Sequence, residues 1–167
     1  TSAVRAPFDV DAGGANAVAF TTSPGGGPGG TAFATQPVVA VSDAGGNGVG
    51  GLVELSIKAG TGAAGATLTC DANPVVALAG SAEFTGCAID LASAEPYVLV
   101  ATIGSLTADS DEFDVTTGVP TTAEFTTDPG NGLGGAALAT QPAVTVLDGG
   151  GNAAAGAVTL SLAPGFG

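Results

Sequence analysis

The stretch FTTSPGGGPGGTAFATQPVVAVSDAGGNGVGGLVELSI, beginning at Phe20, returns as FTTDPGNGLGGAALATQPAVTVLDGGGNAAAGAVTLSL, beginning at Phe125. The offset is 105 residues, and about 25 of the 43 positions in 20–62 and 125–167 are identical without a gap. Self-similarity held in one register over that length marks a domain array, because drifting low-complexity sequence does not keep register. The same offset pairs Phe8-Asp9-Val10 with Phe113-Asp114-Val115. The chain thus divides into residues 1–17, the last strand of a preceding repeat with its linker; 18–117, one complete domain; a linker at 118–122; and 123–167, the first part of the next repeat. A unit of 105 residues is an ordinary domain, large enough to bury roughly two thirds of its unfolded surface without metal or cofactor.

Two Lys+Arg against fifteen Asp+Glu give a formal charge of −13. That charge repels phosphate backbones and anionic headgroups, so nucleic acid and membrane surfaces are not expected partners. Charged residues are only 10% of the chain, against about 25% in a typical soluble domain, which leaves a surface of Thr, Ser, Ala and Gly. Such a surface suits O-linked sugar or packing against a neighbouring copy. No Asn-x-Ser/Thr sequon occurs. No apolar run reaches the 18 or more residues of a membrane helix, and from its first residue, Thr1, the chain reads as a piece of a mature, processed protein.

Helix signals are nearly absent, with 29 Gly and 10 Pro and no sustained 3.6-residue periodicity. Period-two alternation is frequent: Val39 and Val41 against Ala40 and Ser42; Val53, Leu55 and Ile57 against Glu54, Ser56 and Lys58. Further strands are expected over 66–70, 75–78, 81–89, 97–103 and 106–115, with the Phe20 segment opening the domain. The run from Ser23 to Gly30 is too glycine-rich for a strand and reads as a loop between sheets. Seven or eight short strands punctuated by Gly, Pro, Asn and Asp in about 100 residues predict an all-β antiparallel sandwich, tandemly repeated with the 105-residue period.

VAVSDAGGNGVGGLVELSI, SAEFTGCAID and YVLVATIGSLTADSDEFDV together resemble the bacterial immunoglobulin-like repeats of invasin- and intimin-type adhesins and giant surface fibres. Asp43, Gly46, Asn47 and Val49 fit that family's turn, Gly80, Ala82 and Phe84 its next segment, and Tyr97, Leu99 and Ala101 its tyrosine-bearing strand. The resemblance implies an immunoglobulin-like topology and an extracellular, non-catalytic role. The cysteine pair departs from the family pattern.

Cys70 and Cys87 are the only cysteines in a chain without His, so zinc has no completing ligands. A disulfide is the structural reading, which places the protein outside the cytosol; a redox-active pair is the competing one and wants basic neighbours that are scarce here. Asp109, Asp111, Glu112 and Asp114 crowd a strand running into the interdomain link, where calcium could be held between domains. The alternative is a solvated acidic edge that discourages strand pairing. The N-terminal counterpart, Ala3-Val4-Arg5-Ala6-Pro7, lacks the cluster. Asp43, Gly46 and Asn47, with their copies Asp148, Gly151 and Asn152, read as a turn in which Gly supplies positive φ and the polar side chains bond nearby backbone. Lys58 is the only lysine, lies on the polar face by alternation and has Ala163 as its counterpart, which argues against an isopeptide crosslink.

No residue set offers a nucleophile with an activating base, and the glycine runs do not follow a strand and open a helix as phosphate cradles do. The expectation is therefore a non-enzymatic extracellular stalk or fibre of repeats, with neighbouring copies as partners on one chain or in a polymer, and no cofactor. A polymer would require the Ala6–Val10 strand of one chain to complete another. The alternative is a ligand-binding adhesin domain or an accessory domain of a carbohydrate-active enzyme, which would favour a row of exposed aromatics.

Overall fold

The computed structural model describes residues 9–165, and within them the fold is all-β, with no helix. The first eleven strands are β1 (Ala17–Thr22), β2 (Gly27–Pro28), β3 (Val38–Ser42), β4 (Gly51–Ile57), β5 (Leu68–Thr69), β6 (Val75–Ala77), β7 (Ser81–Glu83), β8 (Ala88–Ile89), β9 (Leu99–Ile103), β10 (Leu106–Asp109) and β11 (Val115–Thr116). They are followed by β12 (Thr122–Thr127) and β13 (Ala143–Leu147). A three-stranded antiparallel sheet has the order β1-β3-β7, and a four-stranded one the order β10-β9-β4-β6.

Alternation accounts for the core between these sheets. In β3, Val39 and Val41 point inward; in β4, Val53 and Leu55 do, while Glu54 and Ser56 face out. Ala82 from β7 and Leu99 and Ala101 from β9 complete the same buried cluster. Removing this apolar area from water is the main favourable term of the fold. One end is closed by aromatic packing: Phe33 meets Phe113 edge-on at 5.1 Å, and Phe113 stacks on Tyr97 at 6.1 Å. Tyr97 is fully buried, and its hydroxyl donates to the Leu91 carbonyl (2.7 Å) and accepts from the Ala63 amide (3.0 Å), so its polar tip is satisfied.

Three expectations are revised. The 81–89 segment is two strands, β7 and β8, which pair with β3 and β5 respectively. The 106–115 segment likewise breaks after Asp109, because β10 pairs with β9 whereas β11 lies beside β2. The third concerns the glycine-rich run, in which β2 pairs in parallel with β11 through Gly27↔Val115 and Pro28↔Thr116. Glycine is what permits it: a Cβ at Gly26 would stand 2.2 Å from the Asp114 carbonyl oxygen, so only a bare backbone can approach the last strand this closely.

The pairings recur at the sequence offset. β1 and β3 align Val18↔Val41 and Phe20↔Val39 with an irregularity before Thr22; β12 and β13 align Ala123↔Val146 and Phe125↔Val144 with one before Thr127. The counterpart of β4, around 156–162, forms no strand. Its apolar residues stay open: Val158 and Leu160 are 44% and 53% exposed, where Val53 and Leu55 are 0% and 3%. The partners that hold β4 in place, β6 and β9, have no counterparts among the described residues. Most of the expected strand Ala6–Val10 lies outside the described residues; Asp9 and Val10 are exposed and not in a strand.

Candidate functional site

The turn after β3 is organised by one carboxylate. Asp43 Oδ1 accepts hydrogen bonds from the amides of Gly45 (2.9 Å) and Asn47 (2.8 Å), and the Asn47 Nδ2 group donates to both carboxylate oxygens. The Asp43 and Asn47 backbones close the turn, with Gly46 at φ +83° where other side chains are strained. Oδ2 reaches outside the turn and accepts from the Gly13 amide at 2.8 Å, tying the incoming linker to the domain. Asp148 repeats every bond, to Gly150, Asn152 and the linker amide of Gly118 (2.7 Å). Asp43, Gly46 and Asn47, like Asp148, Gly151 and Asn152, are thus brought together as a turn, and the turn also clamps the linker. The sequence signal for the clamp was the recurrence of Gly13 as Gly118 at the same offset.

The Asn47 side chain and the Gly13 and Asn47 amides, donating to the ionised form of Asp43, hold its pKa down to about 2 from an ordinary 3.8. For Asp148, burial opposes ionisation but is outweighed by the Gly118 and Asn152 donors, so its pKa is also lowered. A depressed carboxylate pKa stabilises the fold above the unfolded value and loses that contribution as pH falls through the folded one. We therefore expect melting temperature to be flat from neutral pH to about 5 and to drop between about 4 and 2. Asp43→Asn should be less stable at neutral pH and show a smaller acid-induced drop; equal drops in both proteins, by thermal melts at pH 6 and pH 2, would show that this carboxylate does not carry the effect.

At its second occurrence the same turn makes a further set of contacts. Asn152 Nδ2 donates to the Asp90 carbonyl at 2.8 Å, and Asn152 Oδ1 accepts from the Ala92 amide at 2.8 Å. Acceptors surround one end of the amide and a donor meets the other, which fixes its orientation. The receiving loop is itself shaped by Asp90, whose Oδ1 accepts from the Thr67 and Leu91 amides. Backbones meet closely here. A Cβ on Gly150 would lie 2.1 Å from the Asp90 oxygen, and one on Gly30 2.6 Å from Gly149 and Gly150. The roles of Asp90, Ala92 and Gly30 were not apparent from sequence, since nothing in a lone loop marks it as a receiver.

Cys70 and Cys87 are joined, with Cys87 fully buried and Cys70 half-buried against the core. Asp109, Asp111, Glu112 and Asp114 are all exposed, and among the described residues no three acidic, His or Cys side chains gather as a metal would require. Asp109 instead pairs with Lys58. Both side chains are about half exposed, so the pair adds little stability. Among the described residues no buried side-chain polar atom lacks a partner. No helix of the described residues is long and apolar enough to cross a membrane. Comparison with protein-family models, curated proteins and solved structures found no match.

Proposed function

We propose that this chain belongs to an extracellular structural protein, a stalk or fibre of tandem immunoglobulin-like sandwiches repeating every 105 residues and serving reach, cohesion or display at a cell surface. The observation that carries this reading is the joint: the Asp148 turn clamps the linker at Gly118 while Asn152 bonds the preceding domain at Asp90 and Ala92. A joint held from both sides transmits force and restricts swing, which a string of independent binding modules does not need. Burial of Val49, Ala82, Phe84, Tyr97, Leu99 and Ala101, the residues that carry the family resemblance, supports the immunoglobulin-like part. The Cys70–Cys87 bond supports an oxidising compartment.

The sugar-binding alternative gains no support from the aromatics. Phe33, Phe84, Tyr97 and Phe113 are buried, and among the described residues Phe125 alone is largely exposed. The deciding measurement is the mass of the native polypeptide under denaturing, reducing conditions. A mass far above 15.5 kDa is expected. One near that value would overturn the continuous array in favour of a small subunit.

A further inference from the structure

The Asp43–Asn47 turn carries the same groups as the Asp148–Asn152 turn, yet among the described residues nothing covers its outer side. Asn152 is half-buried with both ends of its amide engaged by the first domain. Asn47 is exposed; its Nδ2 donates only to Asp43, and its Oδ1 accepts no hydrogen bond among the described residues. Glycine usage points the same way. At Gly150 a side chain is excluded by the Asp90 carbonyl of the neighbouring domain, whereas a Cβ at the equivalent Gly45 meets only the turn's own side-chain atoms, at 3.0 and 3.3 Å. Gly45 also lies outside the left-handed region, so its backbone does not demand glycine. The one difference along the turn's first half, Ala44 for Gly149, falls where a Cβ has room: it would stand 4.0 Å from the Gly29 oxygen.

We propose that the Asp43–Asn47 turn is a docking surface whose occupant is a second copy of this repeat, presenting its Asp90–Ala92 loop and Gly29–Gly30 edge. The surface fits that partner because it offers an unused amide oxygen to a backbone donor, a side-chain N–H to a backbone carbonyl, and a glycine over which a bare backbone can lie. Those are the three features that the Asn152 turn uses against the first domain. The glycine part of the receiving edge recurs as well: Gly134 and Gly135 repeat Gly29 and Gly30, and a Cβ on either meets nothing within 4 Å. This inference rests on the array reading and adds to it that successive joints share one geometry.

The test lengthens the chain by one in-register copy, with residues 13–117 duplicated so that a second Gly13 follows Thr117. The first domain has its own core between Phe33 and Val115, so the added copy carries everything it needs to fold. Side-chain amide hydrogen exchange is then read by NMR. Asn47 of the second copy should exchange roughly tenfold slower than Asn47 of the original chain, the factor that one added hydrogen bond supplies. Gly45→Val in that copy should restore the fast rate while Asn152, in the same molecule, stays protected. Fast exchange at Asn47 with both copies folded and Asn152 protected would overturn the proposal. Exchange at Asn47 of the native polypeptide gives a second measurement, which does not depend on the added copy folding: slow supports docking, fast overturns it. A low native mass would sink the array reading without altering the exchange result in the lengthened chain, so the two failures are distinguishable.

Discussion

Tyr97→Ala will cost the first domain about 3–5 kcal/mol, the range for removing a buried large aromatic, and in a domain of ordinary stability that is a large share of the total. The ring is completely buried, stacks on Phe113 and supports the Phe33 contact beyond it. Gly62 is shaped around it: at φ +61°, a Cβ there would fall 2.0 Å from the ring. Tyr97→Phe separates packing from polar satisfaction. It keeps the ring but leaves the Ala63 amide and the Leu91 carbonyl without their partner, for a loss of roughly 1–3 kcal/mol. Because Leu91 lies between Asp90 and Ala92, the same variant should loosen the loop that holds Asn152 and speed exchange of that side chain. Urea midpoints with circular dichroism give the stabilities. A Tyr97→Ala loss below about 1 kcal/mol would contradict the assigned core, since surface substitutions fall within about half that.

What could be read from sequence divides along physical lines. Strands whose apolar residues alternate over five or more positions, such as β3 and β4, were legible because period two has one cause, a sheet with one buried face. Among the two-residue strands, β5 fell within the expected 66–70 strand, but β2 was read as loop and β8 and β11 were run together with β7 and β10, since a pair that short is defined by its neighbour rather than by its own pattern. Residues 157–162 sharpen the point. AVTLSL closely matches LVELSI of β4, yet only the latter is a strand, because β6 and β9 lie beside it. Strand propensity there is a readiness to fit a pleated, half-buried surface, and the surface must be supplied. The turn was legible for the same local reason that Asp and Asn favour turns, but the joint was not. Asp90 and Ala92 contribute backbone groups, and backbone groups leave no trace in residue type.

Reduction of the Cys70–Cys87 bond will lower stability by about 3 kcal/mol, the chain-entropy cost released when a loop of this size, 17 residues apart, is opened. The location makes the effect more than local. Between the two cysteines lie β6, which belongs to the four-stranded sheet, and β7, which belongs to the three-stranded one. The bond therefore staples the stretch that carries the chain across the core, and Cys87 itself sits fully buried within it. Urea unfolding with and without reductant measures the loss; unchanged midpoints would show that packing alone holds this crossing. Stretching single molecules gives an independent reading. While the bond is intact the enclosed residues cannot extend, so the first domain on unfolding should release about 50–60 Å less contour length than it does after reduction, at about 3.3–3.6 Å per residue. Under the proposed structural function, a domain that unfolds partially and stops at a covalent staple would dissipate load and still resist rupture, as long as the bond stays oxidised. Identical extensions before and after reduction would mean that the bond does not lie in the path of the force.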